Sequence, residues 1–355
     1  MTVAGAITRL QTGYYNSNPV SAANPGGLAA DGHVVNFPAA MRDLGDVGAL
    51  MQGASAGDIT AALQAAGGRT GLRNWLVNGG FDLWQRGVGP ASSHGAYLAD
   101  RWIDYFGGSG SVTRSTDVPS TEFAYSAEVS VAGSGAVGLL QNIEEFQRLR
   151  GIPCSISTWL RGPAGGTAQL LINDGVSGSG LTITTNGSWQ YTNAPVTPAA
   201  AASQVQMQLW GYSAGYYRFT GAQFERGTIA TPFDRRPFAV ELALAQRFFR
   251  KSYLPDTPPG TISSGGLYGT SGGTNRDSVV LIERFPAMRV APTITLYSPS
   301  TGASGKLRDI GAGADVSAEV FDVSAQLVGI RPASGVSSIT AAAPFTVHFT
   351  ASAEY

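Results

Sequence analysis

The chain has a single cysteine, Cys154, which rules out an intrachain disulfide and any thiolate zinc finger. Its setting, Ile152-Pro153-Cys154-Ser155-Ile156, reads as a strand carrying a small buried hydrophobe. Charge is sparse: Asp, Glu, Lys and Arg together make 13 % of 355 residues, and only Lys251 and Lys306 are lysines. A formal net charge of −1 supplies no basic field for nucleic acid or for an anionic membrane surface. No run approaches the roughly 18 apolar residues of a membrane helix, and the first residues lack the cationic and apolar regions of a signal peptide. A chain made and kept in solution is the expectation. Catalytic signatures are missing as well. No nucleophile elbow, phosphate loop or His-Glu-x-x-His motif occurs, and His33, His94 and His348 lie in unrelated contexts. Glu144-Glu145 is the only pair of neighbouring acids considered for a glycosidase, and adjacent strand residues point to opposite faces. The expectation is a protein that is not an enzyme.

What the chain has in abundance is Gly, 47 residues, with 19 Pro and much Ser, Thr and Ala. Short strands joined by many turns follow from that composition. Residues 1–45 read as irregular, with turn signals at Tyr14–Pro19 and Asn24–Gly27. Their aromatics suit ordering against a neighbouring copy or a larger particle, and a free terminus is the alternative. Residues 43–66 carry two short apolar stripes, one through Leu44, Val47, Leu50 and Met51 and one through Ile59, Leu63 and Ala66. Those short helices would pack equally well on copies of themselves or on their own domain.

Strand-like runs then recur from residue 74 to 236: Trp75–Phe81, Ala124–Ser130, Ala136–Gln141, Cys154–Arg161, Ala168–Ile172, Gly180–Thr184, Trp189–Thr192, Gln204–Gly211 and Tyr216–Phe224. Nine runs at this spacing predict a two-sheet sandwich. Residues 237–251 predict a connector helix, with Pro237 at its first position and Arg250-Lys251 at its end. Residues 252–355 predict a further β unit, with strands at Ser278–Phe285, Thr293–Tyr297 and Phe345–Ala351. The fold class expected is mainly β.

Five signatures stand in order across residues 74–293. They are Asn78-Gly79-Gly80-Phe81-Asp82-Leu83-Trp84-Gln85-Arg86-Gly87, Tyr97–Trp102, Gly221–Gly227, Ala230–Pro237 with the following helix, and Phe285–Thr293. Their order and spacing resemble bacteriophage tail-fibre and receptor-binding proteins that carry a carbohydrate-binding-module-like jelly roll. The resemblance implies a homotrimeric virion part. Residues 1–73 would anchor it to other virion structural proteins, 74–236 would form the jelly roll, and the modules beyond the anchor would meet a host surface polysaccharide. It implies a place in the virion after synthesis in the host cytoplasm. A passive decoration protein of the same fold is the first alternative and a glycan-degrading enzyme the second.

Sugar recognition needs aromatic faces for C–H stacking and amide, carboxylate or guanidinium groups for hydroxyls. Trp84 and Trp102 sit inside the signatures and suit packing. Trp210, Tyr212, Tyr216 and Tyr217, around the Gly211–Gly215 turn, are the surface candidates, with Trp189 and Tyr191 beside them. The resemblance also implies a structural Ca²⁺ joining first and last strands, with Asn78, Asp82 and Glu225 as oxygen donors. Asp100-Arg101 and Asp234-Arg235-Arg236 read as structural carboxylate–guanidinium clamps.

Overall fold

The computed structural model describes residues 15–16, 27–30, 33–36, 73–133, 135–336 and 339–355. The chain divides into two compact units, one of Met1–Leu72 with Gly227–Pro232, the other of Arg73–Arg226 with Phe233–Tyr355. In the first, β1 (Tyr15–Asn16), β2 (Gly27–Ala30) and β3 (His33–Asn36) form an antiparallel sheet with β3 in the middle. Sequence patterning alone reads these segments as irregular, because strands of two to four residues are too short to show alternation. The helices expected at 43–66 lie outside the described residues.

The second unit begins with a jelly-roll sandwich. One sheet orders β10 (Gly178–Thr184), β9 (Thr167–Asn173), β12 (Gln206–Gly211), β7 (Val137–Asn142) and β4 (Ile103–Phe106). The other orders β11 (Gln190–Val196), β8 (Cys154–Arg161), β13 (Gly215–Arg226), β6 (Ser126–Val131) and β5 (Gly110–Ser115), and every pairing is antiparallel. Alternation decides which side chains face inward: Leu170 and Ile172, Met207 and Leu209, Ile156 and Leu160 meet in one apolar core. Strand β13 keeps its apolar residues inward over twelve positions through a bulge between Thr220 and Gln223. Gly221 sits there at φ 62°, and a Cβ on it would stand 2.9 Å from the Phe123 ring.

The Asn78–Gly87 signature is a loop, not the first strand. Asn78 and Phe81 both adopt positive φ, 59° and 54°, which breaks a ladder. The Asn78 amide replaces the ladder's bonds. Its Nδ2 donates to the Leu83 and Asp100 carbonyls at 2.9 and 3.0 Å, and its Oδ1 accepts from the Leu83 N–H. Phe81 stacks on the fully buried Trp102 at 4.9 Å.

Helix α1 (Phe238–Gln246) is shorter than patterning predicts, and Phe249–Lys251 forms strand β14 instead. The reason lies in the next sheet, where β14 pairs with β21 (Pro344–Ser352). From β21 the order continues through β18 (Lys306–Asp309), β19 (Ala314–Ser324) and β20 (Leu327–Pro332) to β16 (Leu281–Arg284), while β15 (Leu267–Thr270) and β17 (Thr293–Tyr297) also pair with β21. Phe248 and Phe249 are drawn under two arginines of the sandwich. Arg101 lies 3.6 Å over the Phe248 ring and Arg86 lies 3.7 Å over Phe249. Both arginines bind Glu354. Arg86 also pairs with Asp100 at 3.2 Å, and Arg289 holds the Ala353 and Glu354 carbonyls. Lys251, expected at the helix end, donates instead to the carbonyls of Gln85, Pro255 and Thr257 at 2.6–2.8 Å. The Gln85-Arg86 and Asp100-Arg101 signatures therefore build the joint between sandwich and C-terminal sheet.

Strand β4 was not legible because Asp104 occupies an inward position, fully buried. Burial pushes its carboxyl up to about 8, with the nearby Arg86 charge only partly offsetting it. The folded state thus keeps a proton that the unfolded chain releases near pH 4, roughly the free Asp value. The stability this allows is complete below about pH 4 and is lost as the pH rises towards about 8. Asp104→Asn should remove that loss, so its melting temperature exceeds the wild type's by a few degrees near pH 8 and matches it near pH 4, read by calorimetry. A second expectation concerns the joint. Arg101 is 2 % exposed and Glu354 6 %, so Arg101→Ala takes one of two guanidiniums from a buried carboxylate, leaving Arg86 to meet it, and should cost about 3 kcal/mol in urea unfolding.

Candidate functional site

The outward face of the β10–β9–β12–β7–β4 sheet gathers the best ligand chemistry. Residues opposite one another on adjacent strands share a face. One rung therefore carries Thr182, Gln169, Trp210, Gly138 and Tyr105 on the same side. Further rungs present Leu171, Gln208 and Leu140, then Asn173, Gln206 and Asn142. The aromatic end is a cluster. Trp210 meets the Tyr105 ring edge-on at 5.0 Å and Tyr212 at 6.3 Å, and His94 packs on Tyr105 at 4.4 Å. Trp210 itself is only 8 % exposed, while Tyr105 and Tyr212 are 37 % and 38 % exposed. Trp210 is the bed of the patch, and the two tyrosines offer its accessible rings. Gly138 makes the bed possible, since a Cβ there would lie 2.5 Å from the indole.

A chain of neutral side-chain hydrogen bonds runs from this cluster down the sheet. Trp210 Nε1 donates to Gln208 Oε1 at 3.0 Å, Gln208 Nε2 to Gln206 Oε1 at 2.7 Å, and Gln206 Nε2 to Asn142 Oδ1 at 3.0 Å. Beside it the Tyr212 hydroxyl donates to Gln169 Oε1 at 2.7 Å, and Gln169 Nε2 to Thr182 Oγ1 at 3.1 Å. Each amide is oriented by its neighbour and keeps hydrogen-bonding capacity for a hydroxyl-rich ligand. Burial raises the Tyr212 phenol's pKa, so the ring stays neutral. These three rungs hold no carboxylate, ammonium or guanidinium.

The candidates named from sequence separate. Trp210 and Tyr212 meet on this face. Tyr217 is fully buried in the core, so its ring cannot stack on a ligand. Its ring fills the space in front of Gly211, where a Cβ would lie 2.4 Å away. Tyr216 is 58 % exposed on the other sheet, and the half-buried Trp189 is there too, donating to Asp117 at 3.0 Å. Asp117 also binds Arg161 and Arg218, and Tyr191 leans on Trp159 at 5.5 Å. That second face is charged and crosslinked to itself. Trp84 and Trp102 are buried, as packing residues should be.

Each of the three calcium candidates already meets protein groups. The Asn78 amide is spent on the backbone, Asp82 pairs with Arg235 at 3.1 Å, and Glu225 accepts from Gln223 at 2.8 Å. Among the described residues no three His, Cys, Asp or Glu converge as metal ligands. Glu144 and Glu145 also diverge, Glu144 to Arg247 at 2.7 Å and Glu145 to Arg148 at 3.1 Å.

Tyr105, Gln169, Gln206, Gln208 and Asn142 were missed from sequence. The alternation of Val205 to Trp210 puts Gln206, Gln208 and Trp210 on one face, and that signal was available. Tyr105 had none, because strand β4 was hidden.

No family model matches the chain, and no curated protein matches it. Among solved structures, similar chains include a carbohydrate-binding module, TmCBM61, in complex with β-1,4-galactotriose, at 17 % identity over 44 % of this chain and 99 % of that one, with a TM-score of 0.32. A xylan-binding domain from Paenibacillus barcinonensis matches at 13 % over 41 % and 99 %, with a TM-score of 0.29. The enzymatically active domain of tailspike protein 4 from bacteriophage CBA120 matches at 16 % over 39 % of this chain and 21 % of its own length, with a TM-score of 0.31.

Gly138→Ala should push the indole off its bed. The expected result is a changed Trp210 fluorescence and indole N–H resonance at a cost of about 1–3 kcal/mol in stability. An unchanged Trp210 signal would show that the ring does not lie against Gly138.

Proposed function

We propose that the sandwich is a non-catalytic glycan-binding module, and that its ligand lies on the outward face of the β10–β9–β12–β7–β4 sheet. The observation that carries this reading is the pair of exposed rings, Tyr105 and Tyr212, seated on Trp210 and continuing into an oriented, neutral amide row. Aromatic rings take the C–H faces of a sugar, and the amides take its hydroxyls as donor and acceptor. The absence of a cation on these rungs suits a neutral glycan, because an acidic sugar would lose hydration of its carboxylate without a partner. A passive decoration role would leave the exposed tyrosines and their ordered amides without a use. A glycosidase role finds no support in Glu144 and Glu145, which face different arginines.

In the wider setting, the chain is a virion component of a phage fibre that presents this face to a host surface polysaccharide. Residues 1–73 serve as its attachment to other virion proteins, and it works as a homotrimer. Weak single sites then gain from multivalency. Apolar side chains on the C-terminal sheet, Ile282 at 55 % and Phe321 at 40 % exposure beside Gly329, offer area for such assembly.

Binding to polysaccharide extracted from candidate host envelopes, measured by calorimetry, tests the site. Tyr105→Ala and Tyr212→Ala should each weaken it about tenfold, roughly 1.4 kcal/mol. Tyr191→Ala, on the opposite sheet, should leave it within about twofold. Loss confined to the Tyr191 variant would move the site to the other face.

A further inference from the structure

The C-terminal sheet carries a groove built from elements that the sandwich does not share. It measures about 560 Å³ and is lined by Ile262, Ser264, Ser300, Arg308, Ile310 and Thr346. That volume falls within the roughly 300–1,000 Å³ of small-ligand sites. Its floor follows from strand register. Tyr268, Thr346 and Arg308 stand opposite one another on β15, β21 and β18, and Asp315 completes the rung on β19. Their neighbours Leu307, Phe345 and Val347 belong to the core, so the rung faces outward. Both walls are pinned. Ser263 donates its N–H to the Pro299 carbonyl at 2.9 Å, and its carbonyl accepts from the buried His348 Nε2 at 3.1 Å. A carbonyl can only accept, so Nε2 carries the hydrogen. The Ser298 hydroxyl donates to Asp315 at 2.8 Å and accepts the Ser300 N–H at 3.2 Å.

The lining holds one cation and no carboxylate. Arg308 gives Asp315 only Nη1, at 3.3 Å. Among the described residues its Nε and Nη2 have no partner, and neither is a buried atom. These two nitrogens form one edge of the guanidinium, the side-on fork that a carboxylate meets with two parallel bonds. Asp315 also accepts from the Ser298 and Thr301 hydroxyls, so its charge is shared within the protein. Lys306 faces out two residues before Arg308 and bonds only the Ser317 hydroxyl, at 3.0 Å. Two cations beside one shared carboxylate leave this part of the sheet positive. The Ser264, Ser300 and Thr346 hydroxyls bind no protein group among the described residues. Exposed Ile262 and Ile310 add apolar walls, and Tyr268, 65 % exposed, presents its ring on the rung. Two strand spacings of roughly 4.8 Å separate Tyr268 from Arg308, with Thr346 between them. A peptide strand would seek an open sheet edge, whereas β21 and β18 are paired on both sides.

We infer that this groove binds an acidic sugar residue, a pyranose ring that bears a carboxylate. The carboxylate takes the open edge of Arg308, the ring lies over Thr346 towards Tyr268, and its hydroxyls meet Ser264 and Ser300. The site is independent of the sandwich's outward face, whose rungs carry no cation, and either can fail without the other.

The test is a titration of the isotope-labelled full chain, followed by its NMR resonances. The probes are glucuronic, galacturonic and N-acetylneuraminic acids, with glucose, galactose, acetate and an acidic tripeptide as comparisons. At least one acidic sugar should shift the Arg308 Nε–H and the Ser264 and Thr346 amides and leave Gln169 and Gln208 in place. The comparison compounds should bind there at least about tenfold more weakly. Arg308→Gln should weaken the acidic sugar about tenfold or more. Tyr268→Ala, a surface change that keeps the fold, should weaken it severalfold and carries the test if Arg308→Gln does not fold. No shift with any acidic sugar overturns the inference, and so does binding that survives both variants. Equal shifts with acetate would leave an adventitious ion only, and equal shifts with the tripeptide would make this a peptide site. Either result overturns the sugar assignment.

Discussion

Arg101 sets the constraint on which the second unit depends. Its guanidinium is nearly buried, paired with Glu354, bonded to the Asn142 carbonyl at 2.9 Å and laid on Phe248. A buried cation is tolerated when its charge and most of its donors are met, and here Nη1 and Nη2 are satisfied while Nε is not; the partners come from three places: strand β7, the segment after α1, and the chain's last residues. Removing any one of them leaves an expensive orphan, so the sandwich, α1 and the C-terminal sheet are held in one arrangement. Arg86 repeats the pattern one step away, between Asp100, Glu354 and Phe249. This is why α1 stops at Gln246: the two phenylalanines that would extend it are needed flat beneath the arginines.

The same residues explain which parts of the sequence were legible. Strands β8, β9 and β12 follow alternating patterns whose inward half is apolar, and their bounds lie within two residues of the expected ones. The signatures stood out, yet their local structure did not. Asn78 and Phe81 at positive φ, with the Asn78 amide acting for a ladder, make a loop that period-two reasoning takes for a strand. Strand β4 was lost because Asp104 faces inward, and the helix end was overrun because tertiary cation–π packing overrode propensity. For the candidate face, Trp210 and Tyr212 were legible from their glycine-rich turn. Tyr217 was misassigned, since one position along β13 separates solvent from core.

The two outer faces of the sandwich differ in their chemistry. On one, Asp117 collects Trp189, Arg161 and Arg218, and Glu128 meets Arg218, so charge is neutralised within the protein. On the other, the hydrogen-bond chains pass through neutral groups, the amides with one indole, one phenol and one hydroxyl, each oriented but not saturated. Preorganised neutral donors and acceptors beside accessible rings lower the ordering cost of binding a flexible hydroxylated chain. On the proposed reading a single site of this kind is modest in affinity and gains from multivalency.

The most direct test of this account is a side-chain amide and indole spectrum of the full chain with neutral oligosaccharides released from a host surface polysaccharide. The six tryptophans give separate indole N–H reporters, and those of Trp189, Trp159 and Trp210 divide between the two faces. The account predicts shifts at the Trp210 indole and at the Gln169 and Gln208 carboxamides, with Trp159 and Trp189 unmoved. Shifts at Trp159 and Trp189 with Trp210 silent would contradict it.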